Sequence, residues 1–279
     1  MGVQKSDESL IGASLIKTKK LIESGVNVNT VALSGKNALF SQHCSVATAK
    51  ILIENGIKIN HTDSYGENAL FSSPPAKMTL LIENNININQ LNEDGQNILF
   101  LSNVTLNNAR LLVKKNIDIN NIDRYERNAG YYISDENVFC FLVKSGLDIN
   151  HTDCSGDSVL FSNISTNIKV RDLLIKKGID IHHVNYNNEN ILFHCTDSTE
   201  NFIFYLNKGV DTTLISKSGY SLEEWLSFKK NGIDFKGKRT IDKDLTEQIH
   251  YLKSFKEKNI LKEQISSESN SVKRLNKRL

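Results

Sequence analysis

Apolar residues recur along the chain in two alternating phrases set between short polar stretches. One phrase is Gly-x-Asn-x-Leu-Phe, at residues 35–40, 66–71 and 95–100, with altered copies at 126–131, 156–161 and 188–193 and a partial one at 219–222. Its Asn or Ser falls at Asn37, Asn68, Asn97, Asn128, Ser158, Asn190 and Ser221, in steps of 31, 29, 31, 30, 32 and 31 residues. So steady a period marks a repeat array, in which no unit buries its apolar face alone and stacking supplies the core.

The second phrase precedes each copy of the first. It is an apolar helical run that ends in Gly or Asn and leads into alternating Ile/Val and Asp/Asn, as in residues 51–60 and 111–120. Gly25, Gly56, Gly146, Gly178 and Gly209 stand where a helix end turns left-handed, with Asn85 and Asn116 as substitutes. Asn37, Asn68, Asn97, Asn190, Ser158 and Ser221 precede an apolar start and are expected to cap the first turn; Ser221 and Glu224 fit a capping box. Each unit therefore reads as short helix, turn, longer helix and projecting loop.

These phrases resemble the ankyrin repeat over residues 10–235. The units depart from the usual pattern of about thirty-three residues with Thr-Pro-Leu-His. They are two or three residues shorter, read Asn-Ala-Leu-Phe, and keep only Pro74 and Pro75 as proline. The deletion falls between Leu39 and Ile51, so the first helix is expected to be shortened. The resemblance implies an all-α, ankyrin-like helical repeat solenoid of about seven to eight units with a C-terminal capping helix. The expected organisation is an N-terminal capping repeat at 1–30, repeats at 31–235, an amphipathic helix at 236–265 and a disordered basic tail at 266–279. Ile241, Leu245, Ile249 and Leu252 mark the apolar stripe of that helix, and the Ser/Asn/Lys/Arg composition marks the tail.

The net charge of +2 conceals an asymmetry. Residues 229–279 hold fourteen Lys/Arg and seven Asp/Glu, a balance of +7; subtraction from totals of 34 and 32 leaves 20 and 25, or −5, for residues 1–228. An acidic body attracts a basic partner and disfavours nucleic acid. The basic tail reads as solubilising, with contact to nucleic acid or an acidic protein as the alternative. No eighteen-residue apolar stretch is present, so no membrane span is expected. The first residues lack a secretory signal's apolar core, and Cys44, Cys140, Cys154 and Cys195 form no CxxC pair, which suggests free thiols in the cytoplasm. Met1-Gly2 with Ser6 fits the N-myristoylation pattern, a motif short enough to arise by chance.

Candidate chemistry is sparse. His61, His151 and His183 share one loop register, but stacked helices lie about 8–10 Å apart, which puts His61 and His151 roughly 25–30 Å apart over three units. Metal ligands must lie within about 2–2.3 Å of one ion, so no metal or cofactor is expected. His194-Cys195 reads as repeat filling and Cys140 as core. With no phosphate loop and no paired carboxylates, the chain is not expected to be an enzyme or to take a small-molecule substrate. The loop tips are the variable positions, and they place Asp63, Tyr65, Glu93, Asp94, Asp123, Arg124, Tyr125, Asp153 and Tyr186 in one expected partner-binding stripe. Tyr and Arg are typical anchors, whereas Asp63, Asp123 and Asp153 share a register suited to capping the loop turns.

As a family, ankyrin-type proteins are recognition scaffolds. The short Asn-Ala-Leu-Phe units, rich in Ile, Asn and Lys, are similar to bacterial ankyrin proteins and to ankyrin-type immunity proteins of toxin systems. This resemblance implies an antitoxin that binds and blocks a basic toxin domain, such as a nuclease, as a monomer in a hetero-complex. The alternative is a secreted effector or adaptor whose repeats capture a host protein.

Overall fold

A computed structural model describes residues 10–162, 167–195, 197–230 and 243–276. Among these residues are ten α-helices and no strand. The chain divides after His151 into two compact units.

The first unit carries α1 (Leu15–Glu23), α2 (Val46–Glu54), α3 (Pro75–Glu83), α4 (Leu106–Lys114) and α5 (Glu136–Lys144). Each packs on the next in sequence order. Every one is nine residues long. Ser14, Ser45, Thr105 and Asp135 cap their starts through the side chain, whereas α3 begins with Pro75 and no side-chain cap. That is the helix position where a missing N–H costs nothing. The seventh residue of each helix is Leu21, Leu52, Leu81, Leu112 or Leu142, and all are buried. The fourth residues Ala49, Met78, Ala109 and Phe139 are buried beside them, so the core is a thin apolar row repeated at helical spacing.

The second unit holds α6 (Ile168–Lys176), α7 (Ile191–His194), α8 (Thr199–Asn207), α9 (Leu222–Lys230) and α10 (Lys243–Asn276). Leu174 and Tyr205 continue the seventh-position row and Phe202 the fourth. The long α10 packs on α8 and α9, with Leu245, Gln248 and Leu252 buried; Ile241 lies outside the described residues. The helix also runs on to Asn276, through the segment expected to be disordered. Residues 243–276 contain no Gly or Pro to end it, and Lys, Arg, Glu and Gln are good helix formers.

The phrases opened by Asn37, Asn97, Asn128, Ser158 and Asn190 each form a single short helical turn. Ala38–Phe40, Ile98–Phe100, Ala129–Tyr131 and Val159–Phe161 are three-residue 3₁₀ turns, and α7 is a four-residue helix. Where an Asn opens the turn, it acts twice. Asn97 Oδ1 accepts from Leu99 N at 3.0 Å, and its Nδ2 donates to Asp118 O at 2.8 Å, twenty-one residues on. Asn37, Asn68, Asn128 and Asn190 make the same pair of bonds. A turn too short to satisfy its own ends is thus tied to the loop that leaves the following long helix. At those helix ends Gly25, Gly56, Gly146, Gly178 and Gly209 adopt positive φ, and so do Asn85 and Asn116. Asn is the residue that tolerates this conformation after Gly.

The turn row as a candidate binding surface

Between successive helices the chain makes a tight turn of constant design. Asp63 N–H donates to Glu67 O at 2.9 Å and Gly66 N–H to Asp63 O at 3.2 Å, with positive φ at Gly66. Asp63 Oδ1 accepts from the amides of Tyr65 and Glu67 at 2.9 and 3.1 Å. Asn92, Asp123, Asp153 and Asn185 hold their turns through the same two amides.

Neighbouring turns are laced through the backbone. In the first unit Ser64 N donates to Ser34 O, Glu93 N to Tyr65 O and Arg124 N to Asp94 O, at 3.3, 3.0 and 2.8 Å. In the second, Tyr186 N donates to Ser155 O at 3.0 Å and Lys217 N to Asn187 O at 2.7 Å. A side chain two places before each turn adds a second tie. His61 Nε2 donates to Gly35 O, Gln90 Nε2 to Gly66 O, Asn121 Nδ2 to Gly95 O and His151 Nε2 to Glu126 O; in the second unit His183 Nε2 donates to Gly156 O. The shared histidine register is therefore a row of backbone ties, filled equally well by Gln or Asn.

This design sorts the candidate residues. Asp63, Asp123 and Asp153 are buried, with 7%, 5% and 1% of their surface exposed. Their carboxylates point into their own turns, where Oδ1 already holds two amides, unlike the outward-facing residues expected beside them in the stripe. Tyr65, Glu93, Arg124 and Tyr125 point outward in the first unit with Asp94 half-exposed, and Tyr186 points outward in the second. Within the first unit they stand on three consecutive turns. Arg124 is held in place: Nη1 pairs with Asp94 Oδ1 at 2.8 Å, Nη2 donates to Tyr125 Oη at 2.9 Å, and the guanidinium lies 4.9 Å from the Tyr125 ring centre.

Beneath them sits a buried polar contact. Tyr132 Oη donates to Asp123 Oδ2 at 2.5 Å and Gln96 Nε2 to the same oxygen at 3.3 Å. Burial pushes the Asp123 carboxyl up. The donors from Tyr132, Arg127 N, Gln96 and Tyr125 N outweigh it and hold the group below the usual carboxylate range. The Tyr132 phenol is pushed up to about 12, by burial first and by Asp123 second.

Sequence reasoning missed half of this surface. The residue before each turn is exposed and aliphatic at Val31, Leu91 and Ile122 in the first unit and at Val184 and Ile215 in the second; Leu33 is also fully exposed. The signal was present, since these apolar side chains sit at loop positions with no helical or strand periodicity to bury them. The outward face of the first unit is thus a mixed apolar, aromatic and charged row in which Lys36, Arg124 and Arg127 accompany Glu67, Glu93, Asp94 and Glu126.

The remaining chemistry-bearing residues are occupied structurally. Burial keeps the Cys195 thiol neutral, raising it far above its ordinary value, and a neutral buried thiol is inert as a nucleophile. His194 stacks on Phe161 at 4.6 Å, and its Nε2 lies 3.1 Å from Glu189 Oε2. None of the four cysteines is in a disulfide. No described helix is long and apolar enough to cross a membrane, and the Met1-Gly2 motif lies outside the described residues. Comparison with protein-family models and with curated proteins returns no match.

Proposed function

We propose that this chain is an ankyrin-type recognition scaffold without catalytic activity, and that it is an immunity protein that blocks a bacterial toxin. The observation that carries the binding role is the turn row of the first unit. There Tyr65, Arg124 and Tyr125 project from a backbone fixed by one hydrogen bond per turn, with Leu33, Leu91 and Ile122 exposed among them. Aromatic and Arg side chains on a preorganised frame bind with little ordering cost. The charge of −5 over residues 1–228 makes a basic toxin domain, such as a nuclease, the complementary partner, and steering would give the capture a salt-dependent rate.

The test is co-expression with the product of the adjacent gene, scored by copurification and by rescue from toxicity. A toxic neighbour that this chain captures and silences, with capture weakened at least about tenfold by Tyr65→Ala plus Tyr125→Ala, supports the proposal. A neighbour that is harmless or not retained removes the immunity role. Capture indifferent to both tyrosines removes the turn row.

A further inference from the structure

The last repeat carries a surface feature of a different kind. Tyr220, Trp225 and Phe228 form a stacked aromatic group: Trp225 and Phe228 lie 6.2 Å apart at 23°, and Tyr220 and Phe228 5.6 Å apart at 29°. The indole is fixed from below, since Trp225 Nε1 donates to Phe193 O at 2.9 Å. Phe228 is 56% exposed, although an apolar ring of that size would ordinarily be covered.

The margin of this group is cationic. Lys229 Nζ stands 5.0 Å from the Trp225 ring centre, and Lys217 is exposed in the turn that ends at Tyr220. The carboxylates of α9 are both engaged elsewhere. Glu224 accepts from the N–H and Oγ–H of Ser221 at 2.8 and 2.7 Å, and Glu223 pairs with Lys253 and Lys256 of α10. The chain from residue 229 onward carries +7.

An aromatic group with one lysine over a ring and a second in the adjoining turn is an arrangement that takes nucleobases by stacking and phosphates by charge. A basic protein or a second copy of this strongly basic segment would be repelled. We infer that the Tyr220–Trp225–Phe228 face, with Lys217 and Lys229, binds single-stranded nucleic acid without sequence preference. This site is separate from the turn row of the first unit and stands whether or not that row meets a toxin.

Trp225 is the chain's one tryptophan, so its fluorescence reports the platform directly. The full chain is titrated with a fifteen-nucleotide oligothymidylate at low salt, beside its Phe228→Ala and Lys229→Gln variants, with circular dichroism confirming the fold. Saturable quenching that weakens as salt rises, with affinity reduced about tenfold by Phe228→Ala, is the expected result. No quenching overturns the inference, as does unchanged affinity of Phe228→Ala, which would assign binding to the basic segment alone. Equal quenching by polyglutamate also overturns it, in favour of an acidic peptide.

Discussion

The ammonium of Lys77 donates to the carbonyl of Leu39 at 2.9 Å from a position with no solvent exposure, and a second bond reaches Ser41 O at 3.1 Å. A lysine in the first turn of α3 thus caps the open end of the 3₁₀ turn Ala38–Phe40, thirty-eight residues earlier. Burial lowers the Lys77 pKa, and the nearby Cys44 offsets this in part. Because the folded value lies below the unfolded one, the native state holds fewer protons in the window between them, and stability rises with pH there. The urea midpoint of the parent should therefore gain on that of Lys77→Met as pH climbs toward the unfolded lysine value of about 10.4. A pH-independent difference between the two would contradict this account. Lys77→Ala, which leaves a cavity and two carbonyls without donors, should cost about 3–4 kcal/mol.

Asn97 supplies the second expectation. Asn97→Ala removes a cap and a tie to Asp118 at a fully buried site and should cost about 2–4 kcal/mol. Asn97→Ser should recover about 1 kcal/mol by restoring the cap alone. Ser158 shows that the cap works this way, accepting from Leu160 N at 3.3 Å. Chemical denaturation of the three proteins gives the order; equal losses for Ala and Ser would mean the cap contributes nothing.

Acid should act through Asp123. Its folded pKa is depressed, so its stabilisation is complete above the unfolded carboxylate value and is lost as pH falls through the folded one. Asp123→Asn keeps the acceptor for Tyr125 N and Arg127 N but not the charge. The variant should start less stable at neutral pH and lose less on acidification below about pH 4. Parallel acid-unfolding curves would rule this out.

Two turn substitutions should move in opposite directions. Glu126 holds φ +60 at the turn position that Gly66 and Gly95 occupy, so Glu126→Gly should stabilise by up to about 1 kcal/mol. Gly156→Ala should destabilise by 2 kcal/mol or more, roughly, since left-handed backbone penalises a side chain. Its Cβ would also meet the Tyr186 ring at 2.8 Å and Tyr186 N at 2.9 Å. Melting temperatures of the pair settle the signs.

The repeat unit was legible in the sequence because its markers are backbone requirements: Asn97 at a cap, Gly56 at a helix end, Asp63 in a turn. Each residue type is called for by one local geometry, so its spacing reveals the frame. The candidate partner-facing side of the frame was harder to see. Asp123 and Glu93 are both loop carboxylates, and only the direction of Asp123 Oδ1 toward two amides separates a turn brace from an exposed charge. The group around Trp225 was hidden for another reason. Trp225 and Phe228 stand three residues apart in α9, a helical spacing that reads as core, and only the structure shows Phe228 exposed.

One set of ties between turns ends on main-chain carbonyls. His61, Gln90, Asn121 and His183 all reach a group that every residue type supplies. At these four ties no matched partner side chain has to change when the donor is exchanged, whereas Gln96 with Asp123 and Arg124 with Asp94 are matched side-chain pairs. Duplication or unequal recombination within the gene would therefore add or remove a turn without re-fitting these four ties.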